Sequence, residues 1–166
     1  ESDLDMKLVY DVAHNIAKIE KHKVDGKERK VVIHRKGATR AFPANRDEIP
    51  SKYRDLGQPV LVPGSMGTAS WILLGQPNSM DLSFGSTAHG AGRTMSRTKA
   101  RRNYNENDVK KSLNDKGIFI KALTRDGIVE ETPQAYKDVD AVVNVSHNLG
   151  IATKVAKLIP IGVIKG

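Results

Sequence analysis

The apolar residues of this chain occur in short runs, and loops rich in glycine, proline, serine and threonine separate them. Runs typical of strands occupy residues 31–34, 59–62, 69–74, 118–123, 139–145 and 161–164. Segments that favour helices occupy residues 3–19, 97–102, 107–116 and 151–159. Because strands and helices are interspersed without a regular βαβ order, the sequence predicts an α+β fold.

A single structural unit is predicted for residues 1–166, since neither a repeat nor a low-complexity linker divides them. The chain starts in a predicted helix and stops directly after a predicted strand, which favours one piece of a larger architecture, although a tight domain would look similar. No leader segment and no apolar run of about 18 residues is present, which argues against secretion and membrane insertion. Together with the absence of cysteine, this favours a cytoplasmic location and leaves no thiolate metal ligand in the sequence.

The chain is basic, with a net charge of +8 and a pI near 9.7. Such an excess favours a polyanionic partner, although a solvated basic surface has the same composition. Several of the cations crowd into one segment beside a glycine-rich loop: Arg93, Arg97, Lys99, Arg101 and Arg102. We therefore expect positive charge close to that loop.

The glycine-rich loop reads GSTAHGAGR over residues 85–93 and carries His89 at its centre. Glycines let backbone N–H groups approach a phosphate closely, and Arg93 can offer a bidentate guanidinium to phosphate oxygens. A neutral imidazole is a competent nucleophile near neutral pH. From these residues alone, an ordinary turn with a solvated histidine is the commoner interpretation.

A second loop, residues 63–70 with the sequence PGSMGTAS, has the small and hydroxylated residues that suit backbone contacts to a nucleotide. A plain turn between two strands fits it equally well. Neither the P-loop nor the Rossmann glycine pattern occurs. His14 and Asn15 could supply a metal ligand and a nucleotide contact, but a single histidine cannot form a metal site without partners.

The segment Lys23–Gly26 matches K-x-D-G, the lysine-nucleophile motif of nucleotidyltransferases. Its surroundings are densely charged, and Asp25–Gly26 is also a hairpin turn signal. A catalytic lysine needs burial or a controlled neighbourhood to lower its pKa. A solvated β-turn is therefore favoured over a Lys23 nucleophile, which stays open as an alternative.

Five segments together resemble the RtcB family of RNA-splicing ligases: residues 8–18, 34–43, 59–70, 84–97 and 150–166. They occur in family order and correspond to the C-terminal portion of a family member. The resemblance implies a GTP-dependent RNA ligase that works through a histidine–GMP intermediate with two Mn²⁺ ions. It would join an RNA 3′-phosphate or 2′,3′-cyclic phosphate to a 5′-hydroxyl, with tRNA halves as expected substrates.

Matched by motif, His89 corresponds to the guanylylated nucleophile and His14 to one Mn²⁺ ligand. The resemblance implies nucleotide contacts at Asn15, Pro63, Gly64, Ser65, Met66, Ser70, His89, Gly90, Ala91, Gly92 and Lys165. It also suggests Tyr136 as a nucleotide contact, and Arg93 and Arg97 as candidates for RNA phosphates.

The family's other metal ligands lie upstream of the matched segments and have no counterpart in this sequence. We therefore expect the chain alone to bind Mn²⁺ poorly and to need the family's N-terminal portion for activity. An activating protein such as archease is a further partner that the family implies. A noncatalytic RNA-binding remnant is the other interpretation that the basic composition leaves open.

Overall fold

A computed structural model describes Asp5 and residues 7–165 as a mixture of strands and helices, which confirms the α+β prediction. The strands are β1 (Asn15–Val24), β2 (Lys27–Lys36), β3 (Ala38–Arg40), β4 (Pro59–Pro63), β5 (Ser70–Gly75), β6 (Ser86–Ala88), β7 (Phe119–Ala122), β8 (Ala152–Leu158) and β9 (Gly162–Lys165). The helices are α1 (Asn78–Ser83), α2 (Arg97–Asn103), α3 (Glu106–Asn114), α4 (Arg125–Val129) and α5 (Val139–Asn148). None of the helices within these described ranges combines the length and the apolar composition that a membrane span requires.

The strands form small sheets rather than one large sheet. Strands β1 and β2 make a long antiparallel ribbon, and Asp25 and Gly26 turn it with φ values of 51° and 75°. Strand β3 pairs antiparallel with β6, and β4, β5 and β8 form an antiparallel sheet in that order. Strands β7 and β9 pair in parallel. The hairpin predicted from Asp25–Gly26 is therefore confirmed, because both turn residues adopt the left-handed conformation it requires.

Two groups of buried apolar side chains form the core. The first lies between the β4–β5–β8 sheet and α5: Ala41, Val60, Val62, Ala69, Leu73, Ala91, Val139, Val143 and Ala152, with Trp71 packed against it. The second joins α3 and α4 to loop 63–70: Met66, Val109, Leu113, Ile118 and Ile128. Since Met66 belongs to the second group and Ala69 to the first, loop 63–70 is fixed from both sides.

The helix predicted over residues 3–19 is wrong for its described part. Residues 7–13 have no regular structure, and β1 begins at Asn15. Leu8, which supported the helical spacing, is 83% exposed. The pairing of Asn15–Val24 with β2 determines the structure here, and the helical spacing of apolar residues does not, since each residue of β1 faces a partner across the ribbon. Residues 3, 4 and 6 lie outside the described part.

Two predictions near the C-terminus are also wrong. Residues 139–145, predicted as a strand, lie in α5, where the Asp138 side chain accepts from the Asp140 N–H and caps the first turn. Val139 and Val143 are four residues apart, so a helix buries both. Residues 151–159, predicted as a helix, contain β8, which pairs with β5 through a register shift between Ile72 and Leu73. That shift interrupts the two-residue alternation of a strand.

Candidate active site

His89 and His14 lie side by side although 75 positions separate them in the sequence. His89 follows directly on β6, and His14 directly precedes β1. Their rings are stacked, with centroids 4.7 Å apart and planes inclined by 9°. Gly37, between β2 and β3, donates its N–H to the His14 carbonyl at 3.2 Å. The antiparallel pairing of β3 with β6 therefore brings the two histidines together.

The half-buried position of His89 affects its charge. Burial lowers the pKa of the His89 ring below its usual value, and the neighbouring His14 lowers it further. A neutral ring carries a nitrogen lone pair, which an imidazolium does not. The environment of His89 thus favours the form that can act as a nucleophile.

The two glycine-containing loops singled out in the sequence are adjacent in the fold. The Ala91 N–H donates to the Pro63 carbonyl at 2.9 Å. A side chain on Gly90 would lie only 3.3 Å from the same carbonyl, so a hydrogen atom suits this position best. Because the Ala91 N–H is occupied, a contact of Ala91 with a nucleotide would have to use its other atoms.

Loop 63–70 is closed by its own hydrogen bonds. The Thr68 hydroxyl accepts from the Ser65 N–H at 2.7 Å and lies 3.0 Å from the Ser65 hydroxyl. A Cβ on Gly64 would lie 2.2 Å from the Ala69 carbonyl oxygen, which only glycine avoids. The Met66 side chain is buried in the core, so its predicted nucleotide contact would have to come from the backbone.

Beyond the His89 loop, Arg93 is held by several partners. Its guanidinium donates to the Tyr136 hydroxyl at 3.0 Å and to the Glu130 carbonyl at 2.6 Å, and it lies 3.4 Å from the Glu131 carboxylate. The Tyr136 hydroxyl donates to Glu131. A single β-bridge also joins Arg93 to Tyr136. This arrangement connects the His89 loop to residues 130–136.

Glu131 is the carboxylate at the centre of this cluster, and its side chain is 19% exposed. Burial alone would raise the pKa of Glu131, but the Tyr136 hydrogen bond and the charges of Lys165, Arg93 and Arg97 together lower it. Burial and the Glu131 carboxylate raise the pKa of Tyr136 in turn, despite the opposing effect of Arg93. The surrounding cations and the Tyr136 hydroxyl therefore favour the charged form of Glu131.

The basic segment beside the loop is less free than the sequence suggested. Arg97 lies 3.4 Å from the carboxylates of both Glu130 and Glu131. Arg101 lies 2.7 Å from Glu130 and also reaches Asp126. These carboxylates neutralise much of the local charge, so the RNA-binding roles of Arg93 and Arg97 stay predictions.

A second concentration of positive charge lies on the β1–β2 ribbon. Residues 15–36 contain eight lysines and arginines against three carboxylates, which is +5 of the chain's net +8. The ribbon starts at the exposed Asn15, beside His14, and its outward face includes Lys30 and Lys36. Lys23 is exposed close to the turn at its far end, where it pairs across the ribbon with Glu28. The structure thus gives the K-x-D-G segment the role of a hairpin turn.

A Mn²⁺ site would need several protein ligands that converge on one point. Within residues 5 and 7–165, no group of three or more His, Cys, Asp or Glu side chains could hold a metal ion. His14 is a single exposed histidine, and its neighbour His89 is the candidate nucleophile. The residues present therefore do not form a Mn²⁺ site on their own.

The remaining predicted residues take different positions around this site. Ser70 begins β5 and pairs with Pro63 and Leu158, while Gly92 accepts the Lys137 N–H at 2.9 Å. Lys165 lies on β9 opposite Ala122 of β7. Glu131 was not singled out in the sequence, where its only signal was an acidic pair that follows a short apolar run.

The sequence of this chain matches a known protein family. A sequence profile of the family described as tRNA-splicing ligase RtcB matches residues 1–166. The chain is 57% identical over 166 residues to the tRNA-splicing ligase RtcB of Archaeoglobus fulgidus, with all of this chain and 34% of the relative covered. It is 55% identical over 161 residues to the protein of that name from Nanoarchaeum equitans, with 97% and 34% covered.

The chain thus spans about a third of the length of these curated relatives. The match nevertheless runs through every segment that builds the site, from His14 to Lys165. Because the family profile matches all of residues 1–166, this chain belongs to the RtcB family.

Proposed function

We propose that this chain supplies the nucleophile of a GTP-dependent RNA ligase, with His89 as the residue that carries GMP. The observation that supports this most directly is the half-buried His89 ring, stacked on His14 and next to loop 63–70. The relatives are named as tRNA-splicing ligases, which favours RNA as the substrate.

In the proposed reaction, a ring nitrogen of His89 attacks the α-phosphate of GTP. A nitrogen–phosphorus bond forms, and the bond to the bridging oxygen breaks, so pyrophosphate leaves. An oxygen of an RNA 3′-phosphate then displaces His89 and takes the GMP. Finally, a 5′-hydroxyl attacks that 3′-phosphate, GMP leaves, and a 3′,5′ linkage remains. A 2′,3′-cyclic phosphate would first be hydrolysed: water attacks the phosphorus, the bond to the 2′-oxygen breaks, and a 3′-phosphate and a 2′-hydroxyl result.

The groups around His89 would serve to hold the polyanionic substrates. Transfers of this kind depend mainly on positioning and on stabilisation of negative charge. Loop 63–70 and the glycines that flank His89 would face the nucleotide, with Asn15, Tyr136 and Lys165 at its edges. Arg93 and Arg97 could reach RNA phosphates only by sharing or exchanging their bonds to Glu130 and Glu131.

Two Mn²⁺ ions are part of the proposal, and His14 would be one ligand among several. Because the described residues form no metal site, the other ligands would come from the part of the architecture that this chain does not span. We also propose archease as an activating partner and tRNA halves as substrates.

A test uses the chain combined with the part of the Archaeoglobus fulgidus relative outside the matched region, termed here the complemented chain. It is incubated with Mn²⁺ and GTP labelled at the α-phosphate, and the protein-bound label is measured. We expect His89→Ala to abolish the label and Lys23→Ala to keep it. The reverse result would favour the K-x-D-G alternative.

The same experiment without the complement tests the need for the rest of the architecture. We expect the isolated chain to form no GMP adduct, and adduct formation would contradict this. If the complemented chain also forms none but binds RNA in a salt-dependent way, a noncatalytic RNA-binding remnant would be favoured. The net charge of +5 on the β1–β2 ribbon gives that alternative its specific support.

A further inference from the structure

Arg35 is a buried arginine that the proposed chemistry does not use. Its side chain is 1% exposed and lies at the end of β2, within the ribbon. The guanidinium donates two parallel hydrogen bonds of 2.8 Å to the Glu20 carboxylate. Burying such a charge is costly unless it is paired and fully hydrogen-bonded. Glu20 provides that pairing, and the question that remains is what the buried pair does for the structure.

The other donors of Arg35 bind the segment that leads into the nucleophile strand. Its Nε donates to the Ser86 hydroxyl at 2.8 Å, and Nη2 donates to the Phe84 carbonyl at 2.9 Å. A longer bond of 3.4 Å reaches the Gly85 carbonyl. Arg35 thus joins the ribbon, through Glu20, to the residues directly before β6.

The bound segment has an unfavourable backbone conformation. Phe84 has a φ of 50° and Gly85 a φ of 62°, so two successive residues are left-handed. Such a φ is strained for a bulky side chain and persists only where the surroundings enforce it. At Gly85 a side chain is also excluded, because its Cβ would lie 2.3 Å from the Phe42 ring. The hydrogen bonds from Arg35 stabilise this turn and offset the unfavourable left-handed conformation of Phe84.

This turn determines where His89 lies. Strand β6 has only three residues and pairs with only three residues of β3, so its ends must be fixed by other contacts. Arg35 holds the start of β6 and lies two residues before Gly37, whose N–H binds the His14 carbonyl. A displacement at Ser86 would therefore pass along β6 to the His89 ring and change its stacking on His14.

We propose that Arg35, anchored by Glu20, is a positioning residue that fixes the His89 nucleophile through Ser86 and the left-handed turn at Phe84–Gly85. This inference rests on the proposed function of His89. Arg35 itself is buried away from solvent and contacts no reacting atom in the proposed steps. Its effect should therefore fall on the rate of GMP transfer to His89 and not on GTP binding.

The main test is Ser86→Ala, which removes one acceptor of Arg35 and leaves the buried pair with Glu20 in place. In the complemented chain, we expect the maximum rate of adduct formation to fall by about fivefold or more, since small misplacements of reacting groups are costly. The GTP concentration for half-saturation should stay within about twofold, because binding is unchanged. Ser112→Ala, at a half-buried serine of α3, is the matched control and should change neither.

A second variant and a second readout separate positioning from folding. Arg35→Lys keeps the charge but loses the bidentate hydrogen bonding to Glu20, so we expect a larger loss in the rate of adduct formation than in Ser86→Ala. In the isolated chain, NMR signals of the His89 ring protons report the stacking on His14 without any catalysis. Both variants should shift these signals, while the Ser112→Ala control should leave them in place.

The proposal is overturned if Ser86→Ala leaves both the adduct rate and the ring signals unchanged, even where Arg35→Lys unfolds the chain. In that case Arg35 would serve stability alone. If the unsubstituted complemented chain forms no adduct, the proposed function fails separately. The ring signals then decide the positioning role: shifted signals support it, and unshifted signals refute it.

Discussion

Gly37 offers a sharp test of the site because a side chain at this position would face His89. A Cβ at this position would lie 3.6 Å from Cδ2 and 3.7 Å from Nε2 of His89, which is ordinary contact without overlap. Its φ of 68° is left-handed. Gly37→Ala should therefore lower the free energy of unfolding by about 1–2 kcal/mol through backbone strain alone. For a chain of this size, that corresponds to roughly 2–8 °C in melting temperature.

The added methyl group should also affect the chemistry. A phosphoryl group on Nε2 of His89 would have to share its space with that methyl group. We expect Gly37→Ala to slow GMP-adduct formation in the complemented chain by about tenfold, equivalent to about 1.4 kcal/mol in the barrier. Labelled GTP gives the rate, and thermal unfolding followed by circular dichroism gives the stability.

Gly26→Ala is the matched control for this effect. Gly26 has a similar φ of 75°, but a Cβ there would have no atom within 4 Å. It should lose the same backbone stability as Gly37→Ala and keep its rate of adduct formation. Equal rates in the two variants would show that the ring nitrogen that takes the GMP is not Nε2, the nitrogen that faces Gly37.

Three further outcomes are expected. Lys30→Gln combined with Lys36→Gln should weaken RNA binding and reduce the slope of its salt dependence by roughly 1–2. Lys110→Gln, at a lysine paired with Glu106, should change neither. Filter binding at several salt concentrations measures both the affinity and the slope. The pKa of Glu131 is held below its usual value of about 4.5, so its contribution to stability is present above that pH and is lost as the pH falls below it. The difference in unfolding free energy between the unsubstituted chain and Glu131→Gln should accordingly shrink on acidification. Leu113→Ala should cost about 2–5 kcal/mol in urea unfolding, since this side chain is fully buried.

Local signals in the sequence predicted the elements that depend on local chemistry. The hairpin at Asp25–Gly26 was predicted because that dipeptide adopts the left-handed turn at little cost. Helix α2 was predicted within one residue, and its N-cap, Ser96, accepts the Lys99 N–H. The family motifs also brought His14 and His89 into one expected site, and the fold places their rings in contact.

The errors arose where distant partners decide the structure. Strand β8 pairs with β5, about eighty residues earlier, and its sequence ATKVAKL carries no strict alternation. The short apolar run of α5 could equally have been a strand, and the cap at Asp138 decided against it. Arg35 and Glu131 could not be singled out for the same reason, since their importance lies in partners that only the fold brings near.

The β1–β2 ribbon also offers a position where a probe can be attached for studies of assembly. The sequence contains no cysteine, so one introduced at the exposed Asp25 turn would be a unique attachment point for a dye or spin label. Ten-residue strands place that turn about 30 Å from His14, well outside the candidate site. Energy transfer or electron-spin distances measured from it would report how the rest of an RtcB architecture docks, while the residues around His89 stay unaltered.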